Sequence, residues 1–295
     1  MSHTSHEIAS QPAIWQRTLD DLSAHVEALP RRCERVAVIG CGTSLFVGQA
    51  YAALREEAGQ GITDVYPASD ARLGRGYDRV LALTRSGTTT EVLTALGAGL
   101  DTAAVTVVTA VAGSPATALA DHTVCLSHAD ERSVVQTRFP TALLVLLRAH
   151  LGLPVREAMA DVHTALSLPL SQEMTAAQQI TFLGTGWAVG LANEAALKVR
   201  ETAGHWTESY SAMEYRHGPI AVARKGRAVW SLTPVDPALA KQIQDTGAAL
   251  REPTLDPLAE LVLAQRVAVQ LAEQAGRDPD RPAHLSRSVI LRPAG

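Results

Sequence analysis

Short apolar runs that end in glycine and hydroxyl residues, each followed by a stretch of helical period, set the pattern of this chain. Val36-Ala37-Val38-Ile39 runs into Gly40-Cys41-Gly42-Thr43-Ser44, which predicts a buried strand, a tight turn and a helix. Val80-Leu81-Ala82-Leu83 runs into Thr84-Arg85-Ser86-Gly87-Thr88-Thr89-Thr90-Glu91 and a second helix. Ala104–Val108 and residues 122–126 read as further strands, and Thr141–Leu151 as a buried helix. Before all of these, Ile14, Trp15, Leu19, Leu22, Val26 and Leu29 fall at helical spacing and predict one helix over 12–29. Strands alternating with helices argue for a parallel sheet.

The pattern then restarts. Residues 170–178 are polar and loop-like. Ile180-Thr181-Phe182-Leu183 runs into Gly184-Thr185-Gly186-Trp187 and a helix to about Ala203, in the same strand–Gly-x-Gly–helix context as Gly40 and Gly42. A strand over 228–232, helices over 236–250 and 256–275 and an extended tail over 283–290 complete the reading. The expectation is an α/β fold of two doubly wound parallel-sheet domains in tandem, the second shortened by about one strand–helix unit. Its divisions are an N-terminal helix over 1–30, a first domain over 31–170 and a second over 171–295.

Composition narrows the function classes. At 295 residues, 46% hydrophobic and 19% charged, the chain is globular rather than disordered. A net charge of −4 gives no basic footprint for nucleic acid or an anionic membrane. Cys33, Cys41 and Cys125 are scattered, with no zinc-type spacing. We read neither a signal peptide nor a run of about 18 apolar residues, so the expectation is a cytoplasmic protein without metal or cofactor. Lysine occurs only at Lys198, Lys225 and Lys241, so lysine chemistry has three candidates.

The carboxyl ends of parallel strands are where such sheets bind ligands. Five hydroxyl residues crowd the seven positions 84–90 just before a helix, and Ser44 offers another beside the first turn. One hydroxyl would be a helix cap. Five make an anion cradle with the free helix N–H groups, and phosphate is the reading. The two Gly-x-Gly turns lack the third glycine of a dinucleotide fingerprint, since Leu45 and Val189 stand there. Glu194, Lys198 and Glu201 share one helix face, which by spacing alone is a solvated ion-pair stripe. The residues that follow, Glu208, Tyr210, Glu214 and His217 before Gly218-Pro219, add ionisable groups that could move protons next to a carbonyl.

These stretches, with Glu131 through Thr137-Arg138 and Glu214-Tyr215-Arg216-His217-Gly218-Pro219, resemble the tandem SIS (sugar isomerase) proteins. Examples are the isomerase half of glucosamine-6-phosphate synthase and the bacterial amino-sugar-6-phosphate deaminase/isomerases. The resemblance runs from about residue 35 to 290. It implies that Ser44, Thr84, Arg85, Ser86 and Thr89 hold a sugar phosphate, and that Gly42, Thr43, Val134, Gln136 and Arg287 line the sugar pocket. It makes Glu201 the base that moves a proton between C1 and C2, with Lys198 assisting and His217 opening the ring. It also implies a homodimer in which His217 enters the neighbouring subunit's site. Where the synthase has a Schiff-base lysine, this chain has Arg287, which stays protonated and forms no imine. No glutaminase-type segment precedes the first strand, so a synthase is not expected.

All the reactions in view begin with removal of the C2 proton of an open-chain aldehyde. A free C2 amine then leads to deamination and isomerisation to fructose 6-phosphate, the favoured reading, with a hexosamine 6-phosphate as substrate. A C2 acetamido group leads to loss of the C3 hydroxyl, a dehydratase. A sugar-phosphate binding or sensor protein is the alternative from another class.

Overall fold

In the computed structural model, residues 1–98 and 103–291 are described, and they form two compact units. Of the described residues, one comprises 13–98, 103–131, 138–154 and 286–291, the other 1–12, 132–137 and 155–285.

The first unit carries a five-stranded parallel sheet of β1 (Val36–Gly40), β2 (Thr63–Pro67), β3 (Arg79–Leu83), β4 (Ala104–Thr109) and β5 (His122–Cys125), in the order β2-β1-β3-β4-β5. The second carries a four-stranded parallel sheet of β6 (Ile180–Gly184), β7 (Thr207–Ser211), β8 (Ala228–Ser231) and β9 (Ala249–Arg251), in the order β7-β6-β8-β9. Both orders reverse beside the first strand, and such a reversal opens a crevice at the strands' carboxyl ends. The second sheet has one strand fewer.

The helices are α1 (His3–Ala9), α2 (Gln11–Asp20), α3 (Leu22–His25), α4 (Thr43–Glu57), α5 (Thr90–Gly97), α6 (Arg138–His150), α7 (Arg156–Ser167), α8 (Gln172–Thr175), α9 (Ala188–Ala203), α10 (Pro237–Asp245) and α11 (Pro257–Gln274). Strands β1, β3, β6 and β8 are buried throughout, as central strands covered on both faces should be. Alternate residues Ala37, Ile39, Val80, Ala82, Val105 and Val107 form one face of the first sheet and pack against Val92 and Leu96 of α5. Opposite, α4 lies so close that a Cβ on Gly48 would stand 2.9 Å from Val38. In the second unit α9 and α11 pack along each other, and Leu239 and Ile243 of α10 cover Leu183 and Val229.

Four sequence expectations change. The single helix over 12–29, and with it the helical segment 1–30, is α1, α2, α3 and a short 3-10 turn over Val26–Ala28. Pro12 lacks an N–H and its ring crowds the preceding turn, so α1 ends at Ala9 with Ser10 as its cap. The helix over 236–250 ends at Asp245, because Gly247 (φ 77°) turns the chain into β9. Residues 170–178 hold the short α8. The units also differ from a cut at residue 170: α7 packs on α11, and residues 1–12 and 132–137 join the second unit. Among the described residues no helix is long and apolar enough to cross a membrane.

Candidate active site

The repeated Gly-x-Gly turns have a steric cause. A Cβ on Gly40 would lie 2.8 Å from the Ser44 carbonyl carbon, and one on Gly184 2.2 Å from the Ala188 oxygen. Gly42 (φ 54°) and Gly186 (φ 58°) take the left-handed conformation that L residues avoid. Each pair lets a helix start directly on the end of a central strand. This is close strand–helix packing rather than a dinucleotide fingerprint, and it sets the start of α4, with Thr43 and Ser44, beside the end of β3.

From β3 the chain enters Thr84–Thr89, where Gly87 (φ 65°) sits so tightly that a Cβ would fall 2.0 Å from Ser114 Oγ. The hydroxyls face one another. Thr88 donates to Ser86 Oγ through its N–H (3.2 Å) and its hydroxyl (3.0 Å), and the Gly87 N–H donates to Thr84 Oγ1 at 3.2 Å. Ser288 of the C-terminal tail drops into this group: its Oγ is 3.1 Å from Ser86 Oγ, 2.9 Å from Thr88 Oγ1 and 3.4 Å from Thr89 Oγ1. The tail is held on both sides, by Arg85 Nη2 donating to the Arg287 carbonyl and by Thr90, which bonds Val289 and Leu291. Arg85 is buried against Glu131 at 3.5 Å. Burial lowers its guanidinium from the ordinary value, and the Glu131 carboxylate opposes that. Arg287 itself reaches Asp130 at 2.5 Å and donates to the Glu131 carbonyl.

In the second unit α9 presents Glu194, Lys198 and Glu201. The structure corrects the solvated-stripe reading of this spacing: Lys198 is 1% exposed and Glu194 fully buried, with Nζ 3.4 Å from Glu194 Oε1. Lys198 also bonds Glu201 Oε2, and the Glu201 side chain keeps 21% exposure. A buried ammonium therefore backs one carboxylate that solvent, or a ligand, can reach. His217 ends a 3-10 turn over Glu214–His217 and is exposed, with no hydrogen bond or ion pair among the described residues. Its neighbours fix the turn. Tyr215 is buried in the core, which pushes its hydroxyl up to about 12, and Arg216 reaches Gln242 at 2.8 Å and Asp236 at 3.5 Å.

Loop 132–137 belongs to this same unit and alternates between buried and part-exposed positions, Val134 and Gln136 being part-exposed. Gln136 Oε1 has no hydrogen-bond partner among the described residues. The structure thus groups Thr84, Ser86 and Thr89 with Arg85 and Arg287 in one unit. It places Val134, Gln136, Lys198, Glu201 and His217 in the other. Sequence reasoning missed Ser288, although a serine two places from another beside Arg287 was a hydroxyl signal like that at 84–90. No group of three or more His, Cys, Asp or Glu among the described residues is placed to hold a metal.

Residues 31–150 match the family model of the SIS domain. Glutamine–fructose-6-phosphate aminotransferase (isomerizing) of Methanothermobacter thermautotrophicus is 28% identical, over 97% of this chain and 57% of its own length. That of Thermus thermophilus is 26% identical, over 97% and 58%. This chain spans little more than half the length of these relatives. A glucosamine-6-phosphate deaminase structure from Thermotoga maritima has a TM-score of 0.82 and 23% identity, covering 98% of this chain and 100% of that one. Tagatose-6-phosphate ketose/aldose isomerase from Escherichia coli has a TM-score of 0.80 and 21% identity, covering 99% and 96%. The two structures share the fold. The chain carries a SIS domain over residues 31–150, and its relatives are the isomerase (SIS) portions of glutamine–fructose-6-phosphate aminotransferases.

Proposed function

We propose that this protein is a phosphosugar enzyme of two tandem SIS-type domains, and that it converts an amino-sugar 6-phosphate of the glucosamine 6-phosphate type to fructose 6-phosphate and ammonia. The observation that carries the reading is Glu201, a part-exposed carboxylate held against the buried Lys198 ammonium. Such a carboxylate is oriented and open to a substrate, as a general base must be. The relatives' names, an aminotransferase that isomerises a sugar phosphate and a glucosamine-6-phosphate deaminase, support the substrate class.

In this reading Ser44, Thr84, Arg85, Ser86 and Thr89 hold the phosphate. Gly42, Thr43, Val134, Gln136 and Arg287 border the sugar, the unpartnered Gln136 Oε1 accepting from a hydroxyl or amine. His217 protonates the ring oxygen and opens the sugar, entering from the neighbouring protomer of a homodimer. Its exposure and lack of partners among the described residues support that role. Glu201 then removes the C2 proton of the aldehyde, and the Lys198 ammonium stabilises charge on the enolate oxygen. Reprotonation at C1 leaves a C2 imine. Water adds to it and expels ammonia, giving the ketose. Arg287, fixed on Asp130, offers no amine for a Schiff base, which fits hydrolysis rather than amination.

Mass spectrometry of products tests the reading. The protein is incubated separately with glucosamine 6-phosphate and N-acetylglucosamine 6-phosphate. Fructose 6-phosphate and ammonia from the first are expected, and Glu201→Gln abolishes turnover while retaining sugar-phosphate binding. Loss of one water from the second substrate instead would make the protein a dehydratase. No change in either, with binding intact, would leave a sensor.

A further inference from the structure

The first two helices carry two polar side chains that are almost wholly buried, Glu7 of α1 at 3% and Gln11 at the start of α2 at 0% exposure. Glu7 reaches loop 132–137 directly and Gln11 reaches it through Gln265. Glu7 Oε1 accepts from the backbone N–H of Arg132 at 2.5 Å and of Ser133 at 3.4 Å, 125 residues away or more. Its other oxygen bonds the Ser133 hydroxyl, which also lies 2.8 Å from the Val135 carbonyl. At the far end of the loop the Thr137 carbonyl accepts from Gln265 Nε2 at 3.1 Å, and Gln265 Oε1 accepts from Gln11 Nε2 at 2.8 Å. Both ends of a loop with no regular structure are therefore fastened to the first two helices, one directly to α1 and one to the start of α2 through Gln265 of α11.

We infer that Glu7 and Gln11 are positioning residues for the sugar contacts Val134 and Gln136, so that α1 and the start of α2 work as a part of the active site that touches no substrate. The inference rests on the proposed role of that loop. Three features support it. A loop buried at alternate positions must satisfy its backbone N–H groups inside the protein. The Glu7 carboxyl gathers three bonds from the loop, two from backbone N–H groups and one from the Ser133 hydroxyl. And Ser133, Val135 and Thr137, the three residues whose burial turns Val134 and Gln136 outward, are each bonded within this network.

The test separates positioning from mere support. Glu7→Gln keeps the shape and removes the carboxylate, and Ser133→Ala removes only the hydroxyl that bonds Glu7 and the Val135 carbonyl. KM and kcat for glucosamine 6-phosphate are measured beside the inhibition constant of inorganic phosphate. The expected result is a rise in KM of about tenfold in Glu7→Gln and a smaller rise in Ser133→Ala, since small misplacement of binding groups is costly. Phosphate inhibition stays unchanged, because neither residue bonds the hydroxyl group at 84–89. Amide hydrogen exchange over 132–137 quickens in both variants, while that over 84–90 does not. A purely structural role would lower kcat with the active fraction, leave KM alone and overturn the inference. Should Glu7→Gln fail to fold, Ser133→Ala decides by the same readouts. A wild-type protein that binds no sugar phosphate overturns the proposed function, and this inference with it. A wild type that turns the substrate over, with unchanged KM in both variants, overturns this inference alone.

Discussion

Lys198→Met keeps the length of the side chain and removes its charge. The ammonium is 1% exposed and 3.4 Å from a Glu194 carboxylate that has no exposure at all. With an effective dielectric constant of about 20, unit charges at that separation attract by about 5 kcal/mol. Removing one partner of a buried pair leaves the other charge stranded, and costs about 3–5 kcal/mol. Glu201, at 21% exposure, rehydrates more easily and adds less. In a chain of this size each kcal/mol lowers the melting temperature by roughly 2–4 °C, so Lys198→Met should melt about 10 °C below the wild type. The assay is thermal unfolding followed by circular dichroism, with the double variant Glu194→Gln/Lys198→Met beside it. The double variant should recover at least half of the loss, because no unpaired charge is left buried. Turnover should fall in both, as both lack the cation beside Glu201. A single variant melting within 2 °C of the wild type would refute the buried-pair argument.

Gly87→Ala should abolish phosphate inhibition and turnover, because its Cβ would stand 2.0 Å from Ser114 Oγ at a φ of 65°; titration calorimetry with inorganic phosphate checks it. Ser288→Ala should tighten inorganic phosphate binding by roughly three- to tenfold, since phosphate would no longer displace a hydroxyl from Ser86, Thr88 and Thr89; the same titration reads it. Burial pushes the Glu34 carboxyl up, but bonds from Arg79 and the Arg31 N–H outweigh this and hold it below 4.5. Its stabilising contribution is therefore complete above pH about 4.5 and lost as pH falls through the lowered value, so the urea midpoints of wild type and Glu34→Gln should converge in acid. Mixing Glu201→Gln with His217→Asn protein should restore part of the activity if the two residues act across a dimer, measured as ammonia release after subunit exchange.

The central strands were all legible in the sequence, and with them one edge strand, β5, read over 122–126. β1, β3, β6 and β8 are covered on both faces and so read as unbroken apolar runs. The three that sequence reading missed, β2 (TDVYP), β7 (TESYS) and β9 (ALR), are edge strands with most positions part-exposed. An edge strand needs little apolar pattern, because pairing to one neighbour holds it. At the candidate site, the hydroxyl cluster at 84–90 was visible because five hydroxyl residues fall within seven positions. The burial of Glu194 and Lys198 was not, since identical spacing on an exposed face looks the same. Glu7 and Gln11 left no local signal, because their partners lie 125 and 254 residues further along the chain.

The path of the chain through its two units carries a consequence for handling the protein. It passes from one to the other at 12–13, 131–132, 137–138, 154–155 and 285–286. No single cut yields two self-sufficient fragments: a break at any one of these points strips at least one unit of a segment that belongs to its core or its site. Cleavage at residue 170 would part α7 from α11, and residues 1–12 and 132–137 from the rest of their unit. The first unit needs the segment after residue 285, whose Ser288 reaches Ser86 and Thr88, so it is complete only after residues 155–285 of the other unit have been made. Expression of either half alone should therefore give insoluble product, and a full-length chain nicked once in a surface loop should stay associated and active.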